Sequence, residues 1–350
     1  MGKKFEFLII ASSAFIILFM TLISLSKEKI AGIRSNLSTG GYLPMIEDNL
    51  STDKEDFTIM VTGDVMLGRA VMSSALDLND PAYPFRKVGD LLRNSNLAFI
   101  NLENPIVENC PKVESGFKFC ASPELVQGLE YSGVDVINLA NNHSGNYGSR
   151  GIEETRNILE KVGIEAVGLG DVVVKKAKDV TIGFLGFDFT VRGPVKADFE
   201  LINSSKKMVD KLFVGVHWGQ EYKNKANENQ RRWGKEMIEN GADIVIGHHP
   251  HWVQDSDCYT ISDNVLLGNM VHLENVKYIT SDELKSNIVC PPETKAVYYS
   301  LGNFIFDQMW SEETKKGIVL LFNFSADELK STKVLPIYMR SNGQPEFVRN

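Results

Sequence analysis

Short apolar runs alternate with amphipathic stretches along most of the chain, a pattern typical of mixed α/β proteins. The apolar runs predict strands at residues 57–61, 97–102, 134–139, 181–187, 212–217, 244–247 and 297–300, and a late pair at 318–324 and 334–338. Helical periodicity predicts helices at residues 123–131, 151–162 and 227–240. The alternation therefore indicates an α/β body in which helices cover the sheets.

A separate apolar segment precedes this body. Residues 7–26 contain no charged side chain, and a helix of that length spans roughly 30 Å, about the thickness of the bilayer hydrocarbon core. We interpret residues 1–30 as an uncleaved membrane anchor that contains this helix; the alternatives are a cleaved signal peptide and a buried core helix. Residues 31–56 are rich in Gly, Ser, Asn and Asp and predict a flexible linker, which assigns the folded domain to residues 57–340.

The position of the anchor and the cysteines bear on the compartment. A short tail before the anchor and a long domain after it favour a main domain outside the cytoplasm, although lysines flank the anchor on both sides. The cysteines form a near pair, Cys110 and Cys120, and a farther pair, Cys258 and Cys290. Two local disulfides are the economical interpretation outside the cytoplasm, and four free thiols are the alternative in the cytosol. We expect a single-pass cell-membrane protein with an extracytoplasmic main domain.

Composition excludes several classes of function. The apolar share of 43% excludes a wholly disordered chain. Lys and Arg number 37 against 45 Asp and Glu, so the formal charge is −8, and no basic cluster is present to bind a phosphate backbone. We therefore expect no nucleic-acid partner. The sequence also lacks a G-x-S-x-G elbow and a G-x-x-x-x-G-K-[ST] loop, which argues against a serine hydrolase and a nucleotide switch.

Residue types that bind metals or transfer protons follow the predicted strands. They are Asp64, Glu103, Asn142, His143, His217, His248, His249 and His251. Each of them alone has a simpler explanation as a turn residue, a helix cap or a hydrogen-bonded core histidine. Together, carboxylates and neutral imidazoles at strand ends suit Mn, Zn or Fe, so we expect one or two divalent ions.

Six motifs resemble those of the CapA family, the bacterial capsule or poly-gamma-glutamate synthesis proteins. They are GDVMLGR (63–69), NLENP (101–105), LANNHSGNYGSRG (139–151), HWGQEY (217–222), GHHPHWVQ (247–254) and YSLGNFIFDQ (299–308). That family belongs to the metallo-dependent phosphatase-like superfamily, so the resemblance implies a four-layer αββα sandwich of the metallophosphoesterase type. It also implies His143 as the catalytic residue and a set of metal ligands: Asp64, Glu103, Asn142, His217, His249 and His251.

Three features depart from the pattern of the superfamily. Met66 stands where a histidine of the first motif is usual, so one expected ligand is missing. Asn146 replaces a common aspartate near His143. Residues 255–296 form an insertion that contains the farther cysteine pair, and they predict either a disulfide-braced lid over the site or a surface elaboration without function.

The predicted anchor and the resemblance together indicate a membrane-anchored, outward-facing, metal-dependent hydrolase of phosphoester or amide bonds that helps to make or attach an anionic surface polymer such as poly-gamma-glutamate. The alternative is a non-catalytic assembly component that binds polymer or partner enzymes. Expected partners are the polymer or its precursor, the membrane through the N-terminal helix, and other capsule-synthesis membrane proteins. Because the domain is acidic, contact with a polyanion requires bound cations or a basic patch such as Arg231 and Arg232, which alternatively form a solvated helix face.

Overall fold

The computed structural model describes residues 55–262, 265–271 and 290–348. The predicted anchor at residues 1–30 and the predicted linker up to residue 54 lie outside these ranges. Of the helices within these ranges, none has the length and apolar character that a membrane crossing requires.

Strands and helices alternate along the described residues. The helices are α1 Arg69–Asp77, α2 Gly89–Arg93, α3 Val126–Tyr131, α4 Gly148–Lys161, α5 Lys196–Lys206 and α6 Glu228–Glu239. The strands are β1 Asp56–Val65, β2 Leu97–Leu102, β3 Val136–Asn138, β4 Glu165–Val167, β5 Val173–Ala177, β6 Val180–Asp188, β7 Lys211–His217, β8 Ile244–His248, β9 Ser256–Ser262, β10 Val265–Val271, β11 Lys295–Tyr298, β12 Asn303–Ile305, β13 Lys316–Ser325, β14 Glu328–Ser341 and β15 Gln344–Phe347.

The first sheet has the strand order β15-β14-β13-β1-β2-β3-β4, and β12 pairs with the end of β1. Neighbouring strands from β1 to β4 are parallel, whereas β13, β14 and β15 are antiparallel to their neighbours. The nearly continuous apolar run of β1 agrees with its burial in the middle of this sheet. The parallel strands bring their carboxyl ends to one edge of the sheet.

The second sheet has the order β10-β9-β11-β8-β7-β6-β5. Strands β6, β7, β8 and β11 are parallel, and β5, β9 and β10 pair antiparallel. His217 and His248 are register partners at the carboxyl ends of β7 and β8. The second sheet therefore also presents histidines at the ends of its parallel strands.

Three apolar clusters hold these layers together. One lies between the sheets, where Phe213 contacts Phe322 at a ring-centroid distance of 5.4 Å and Phe99 contacts Phe184 at 5.1 Å. A second cluster packs α1 to α4 against the first sheet, and a third packs α5 and α6 against the second sheet. This arrangement confirms the predicted α/β body with two covered sheets.

The ends of the domain differ from the prediction. Strand β1 begins at Asp56, inside the predicted linker, and β15 extends the first sheet beyond residue 340. The connection to β15 is Asn342-Gly343, with Gly343 at φ 70°. Asn-Gly between two extended runs is a hairpin signal that the strand prediction did not use.

The predicted insertion at residues 255–296 is partly β-sheet. Strands β9 and β10 form an antiparallel hairpin that joins the second sheet through β11. A disulfide joins Cys258 to Cys290, and both residues lie in the apolar cluster between the sheets. A second disulfide joins Cys110 to Cys120. Both expected pairings are therefore present, and the described part of the insertion is a sheet edge stabilised by a disulfide.

Candidate metal centre

Strand ends from both sheets meet at the candidate site. Asp64 lies near the end of β1 in register with Asn101 of β2, and Glu103 directly follows β2. His217 and His248 end β7 and β8. The backbone N–H of Asp64 donates to the carbonyl of Gly302 at 2.9 Å, and a Cβ added to Gly63 would lie 2.0 Å from that carbonyl oxygen, so this approach requires glycine.

Glu103 is a buried carboxylate without hydrogen bonds. Its side chain is completely buried, and neither carboxylate oxygen has a hydrogen-bond partner among the described residues. Its Oε1 lies 3.7 Å from Nε2 of His251, 3.8 Å from Nε2 of His217 and 3.9 Å from Nε2 of His143. These separations exceed a hydrogen bond but resemble those of ligands that share one ion, which lie roughly 3.4 Å apart in a tetrahedral site.

Electrostatics at Glu103 also favours a cation. Burial raises the pKa of Glu103 well above its usual value; the charge of His251 opposes this shift, and the charges of Asp64 and Glu221 add to it. A buried carboxylate in this setting is costly unless a cation or a set of donors compensates it.

Asp64 is held by donors on both oxygens. Oδ1 accepts from Nδ2 of Asn101 at 2.9 Å and lies 3.1 Å from Nδ1 of His248. Oδ2 accepts from the backbone N–H of His249 at 3.2 Å and lies 3.3 Å from Nδ1 of His251. Burial alone would raise the pKa of Asp64, but His248 and His251 hold it well below the usual range. Asp64 is therefore ionised and fixed in orientation.

The hydrogen bonds of His251 fix which of its nitrogens faces Glu103. Nδ1 lies 3.0 Å from Oδ1 of Asn303 and 3.3 Å from Oδ2 of Asp64, so the proton belongs on Nδ1. Nε2 then faces Glu103. Burial lowers the pKa of His251, but the charges of Glu103 and Asp64 outweigh it and raise the pKa to about 9.

His249 lies in the same turn. Its φ is 93° and that of His251 is 58°, both in the region that residues other than glycine rarely occupy. Such strain persists only where surrounding contacts impose it, and it is common at functional sites. Burial lowers the pKa of His249 to about 4, so this imidazole is neutral at pH 7 and suited to ligation.

His143 lies beside the cluster with its ring stacked on Phe119 at a centroid distance of 3.8 Å. Nδ2 of Asn146 lies 3.1 Å from Nδ1 of His143 and within 3.5 Å of the carbonyls of Phe117 and Phe119. Because carbonyls only accept, the amide NH₂ faces them, and Nδ1 of His143 must accept as well. The proton of the neutral ring is therefore on Nε2, which faces Glu103. Burial lowers the pKa of His143 to about 4.

The structure brings most of the predicted site residues together. Contacts or close approaches join Asp64, Glu103, His143, His217, His249 and His251. Asn142 differs because its side chain is exposed, whereas the preceding Asn141 is buried and donates to the Leu102 carbonyl at 2.8 Å. A ligand role for Asn142 stays a prediction.

Several residues of the site were not among the predicted ligands. Asn101 and Asn303 orient Asp64 and His251, and His248 contacts Asp64 through Nδ1. All three lie inside the motifs that carried the family resemblance. Their positions in these motifs, near strand ends, could have indicated that they belong to the site. Met66, which stands where a histidine ligand is usual, is fully buried in the apolar cluster that packs against α1. Its side chain belongs to the core and not to the metal centre.

The side chains present fit a divalent ion. Asp64, Glu103 and His217 each offer a ligand atom, and these atoms lie within 4.8 Å of one another. Two carboxylates with imidazole nitrogen form a donor set used for Zn, Mn and Fe. The unpartnered oxygens of Glu103 and Nε2 of His217 are the atoms such an ion would satisfy.

The sequence is similar to those of known proteins. Residues 58–198 and 190–308 match the family described as "Bacterial capsule synthesis protein PGA_cap". The capsule biosynthesis protein CapA of Bacillus anthracis is 28% identical over 325 residues, covering 85% of this chain and 70% of that protein. The PGA biosynthesis protein CapA of Bacillus subtilis strain 168 is 28% identical over 299 residues, covering 79% and 70%.

A solved structure described as a novel phosphatase of Mycoplasma pneumoniae is 12% identical, with a TM-score of 0.49, and covers 82% of this chain and 95% of that one. The PGA_cap match extends over more than half of the chain and includes every predicted site residue. The chain therefore belongs to the bacterial capsule synthesis family PGA_cap, as its motifs predicted.

Proposed function

We propose that this protein is a membrane-anchored, outward-facing, metal-dependent hydrolase that acts on a phosphoester or amide bond in making or attaching a surface polymer such as poly-gamma-glutamate. The observation that carries the proposal is Glu103, a buried carboxylate without hydrogen-bond partners that faces the Nε2 atoms of three histidines. The two sheets with helices on both outer faces agree with the four-layer sandwich of metallophosphoesterases.

The chain offers the groups that such a reaction needs. A divalent ion bound by Asp64, Glu103 and His217 would polarise a phosphoryl or acyl oxygen. His143 would hold a substrate or leaving-group oxygen through its Nε2 proton, and the stacked Phe119 would keep its ring in place. His248 and Asn101 would keep the Asp64 carboxylate in position.

Two further features support an envelope location. The apolar segment at residues 7–26 has the length of a membrane span, and the disulfides Cys110–Cys120 and Cys258–Cys290 are typical of compartments outside the cytoplasm. The names of the two Bacillus relatives agree with a role in capsule or PGA biosynthesis. A protease-protection experiment on cells tests this part: the main domain should be digested from the outside.

Contact between this acidic protein and an anionic polymer requires cations, because the two would otherwise repel each other. Arg231, one of the two arginines considered for a basic patch, pairs with Asp255 and lies 3.3 Å from Asp257. Its charge is therefore compensated within the protein. We propose that the bound metal supplies the positive charge that meets the polymer.

The metal content of the purified full-length protein tests the proposal. The parent should contain a stoichiometric divalent ion, and Asp64→Ala and His249→Ala should lower its affinity by at least roughly 10–100-fold, since even outer-shell partners have effects of that size. Asp179→Ala, at a fully exposed position, is the matched control. A parent protein that binds no divalent ion would exclude the metal-dependent hydrolase.

One observation favours the second candidate, a non-catalytic assembly component that binds polymer or partner enzymes. Nδ1 of His143 contacts the Asn146 amide and not a carboxylate, so the negative charge of the usual aspartate is missing on this side of the ring. If the metal-loaded parent hydrolyses neither phosphoester nor gamma-glutamyl amide substrates yet binds poly-gamma-glutamate, this second function is the correct one.

A further inference from the structure

We propose that Arg69, Phe119 and the disulfide between Cys110 and Cys120 together position the ring of His143. The inference rests on the proposed function, in which His143 holds a substrate or leaving-group oxygen through its Nε2 proton. It gives a role to residues that were not predicted to belong to the site, and it makes them positioning residues that act through the histidine.

Two contacts orient the ring of His143. Its Nδ1 lies 3.1 Å from the amide of Asn146, which stands where an aspartate is common in the superfamily. Its face lies against Phe119, with the ring centroids 3.8 Å apart and the planes inclined by 22°. A neutral amide holds an imidazole more weakly than a carboxylate does, because hydrogen bonds to charged groups are stronger. The stack on Phe119 therefore has a large share in fixing the ring.

Arg69 lies against the same phenyl ring. Its Cζ is 4.3 Å from the centroid of Phe119, which is a cation–π contact. Nε and Nη2 of Arg69 donate to the carboxylate of Asp307, and Nη1 donates to the carbonyl of Gly116 at 2.8 Å. Each of the three nitrogens has an acceptor within the protein, and the side chain is only 12% exposed. The guanidinium is therefore suited to supporting Phe119 and not to binding an anionic substrate.

Phe119 ends a loop with little support of its own. Residues 111–118 are exposed and contain no helix or strand, whereas Phe119 and Cys120 are buried. The disulfide from Cys120 to Cys110 closes this loop directly beside Phe119. Because a cross-link reduces the number of conformations open to a loop, it keeps Phe119 at the position where it meets the histidine ring.

The end of the loop also contacts residues around the site. The carbonyl oxygen of Cys120 approaches Gly68, between β1 and α1, so closely that an added Cβ would lie 2.3 Å from it. The Asn146 amide, which contacts His143, also lies 3.5 Å from the carbonyl of Phe119. A displacement of the loop would therefore alter both contacts that orient the His143 ring.

Histidine NMR spectroscopy tests the inference without requiring catalysis. Full-length, chelator-treated protein in detergent is labelled at its six histidines, and His143 is assigned by comparison with His143→Gln. In the parent, the ring current of the stacked Phe119 should shift the ring protons of His143 upfield. Phe119→Leu, which keeps an apolar side chain, should remove this shift, and Phe119→Tyr should retain it. An unchanged spectrum in Phe119→Leu would exclude the stack.

Arg69→Lys and the double substitution Cys110→Ser with Cys120→Ser should each reduce the upfield shift. Lysine lacks the planar fork of arginine, and two serines cannot form the cross-link. Phe117→Ala is the matched control, since the side chain of Phe117 is 88% exposed in the same loop. A variant of either kind with the His143 resonances of the parent would overturn the role of the group that it removes.

Kinetics separate this inference from the proposed function. With Mn²⁺ restored, hydrolysis of 4-nitrophenyl phosphate and gamma-glutamyl-4-nitroanilide is measured. Phe119→Leu should lower kcat by roughly 10²-fold, the effect of a misplaced group, while KM and the affinity for Mn²⁺ stay near those of the parent. A lower Mn²⁺ affinity with unchanged kcat would contradict the positioning role. If the parent hydrolyses neither substrate, the proposed function fails, while the NMR result still decides what positions His143.

Discussion

Glu103 and Asp64 show how environment gives two carboxylates different states. Asp64 receives donors on both oxygens, and its pKa lies well below the usual value. Glu103 receives none, and burial raises its pKa well above the usual value. A buried carboxylate without partners, such as Glu103, reduces the stability of the fold, because burying an unpaired polar group is unfavourable. Such a residue is therefore expected mainly at functional sites.

Replacing Glu103 should therefore separate stability from metal binding. In chelator-treated protein, Glu103→Leu should raise the free energy of unfolding by about 1–3 kcal/mol, since the unsatisfied group is removed. The same variant should no longer bind Mn²⁺. Urea unfolding with and without Mn²⁺ measures both effects, with the exposed Glu108→Leu as the control. A variant that is less stable than the parent would contradict this account of Glu103.

A carboxylate beside His143 should change its titration. In Asn146→Asp, the new charge would lie against Nδ1, which the Asn146 amide now contacts at 3.1 Å. A neighbouring negative charge favours imidazolium, so the pKa of His143 should rise from about 4. Histidine NMR titration of chelator-treated protein measures the shift. An unchanged or lower pKa would show that burial alone governs this ring.

At the scale of elements, helix α5 illustrates a local signal that the periodicity of apolar positions did not reveal. It begins at Lys196, and Oδ2 of Asp198 accepts from the Val195 N–H at 2.8 Å, so the third residue caps the helix start. Arg192 also donates to Asp198 at 2.7 Å. The helix begins at this position because the N–H of Val195, the residue before its first turn, finds an acceptor in Asp198.

Removing this cap should have a defined pH dependence. Asp198→Ala should lower the free energy of unfolding by about 1 kcal/mol at pH 7. Burial opposes ionisation, but Arg192 and the Val195 N–H hold the pKa of Asp198 below 3.8. The stabilisation by ionised Asp198 is therefore complete above about pH 3.8. It is lost as the pH falls through the lower pKa that Asp198 has in the folded protein.

Urea unfolding between pH 3 and 7 measures the difference between parent and variant. Asp179→Ala is the control, because Asp179 is fully exposed and water screens its pairing with Lys176. A deficit in Asp198→Ala that stays constant down to pH 3 would show that the carboxylate charge does not contribute.

At the scale of the whole molecule, the candidate metal centre joins the two sheets. Asp64 and Glu103 belong to the first sheet, whereas His217, His248 and the following turn belong to the second. An ion bound to both sets would cross-link the layers at their carboxyl edge, in addition to the apolar cluster between them. Metal binding and global unfolding should therefore be coupled.

The parent protein should be stabilised by metal in a concentration-dependent manner. At a free Mn²⁺ concentration of 100 Kd, the gain is about 2.7 kcal/mol, which for a domain of this size raises Tm by roughly 4–5 °C. Excess chelator should return Tm to its starting value, and Glu103→Leu should show no shift. Calorimetric scans measure this, and a parent Tm independent of Mn²⁺ would contradict the cross-link.

The sequence by itself determined the α/β class, most strands of the two sheets and the residues at their ends. The strand at Leu97–Leu102 and the motif histidines were readable because buried parallel strands form continuous apolar runs that end abruptly in polar groups. Strands β4, β5, β9, β10, β12 and β15 were not predicted. The three-residue strands β4 and β12 and the half-exposed edge strands β5 and β15 have little apolar periodicity, and β9 and β10 belong to the predicted insertion.

Only the tertiary structure decided which of these side chains share a site. Glu221 and Asn303 are ordinary loop or strand-end residues in the sequence, yet they lie beside His249 and His251 because strands from two sheets end at the same edge. Asn142, a predicted ligand, is exposed, while the adjacent Asn141 is buried. The spacing of residues along a chain sets their order, whereas their distances in space depend on how the two sheets pack.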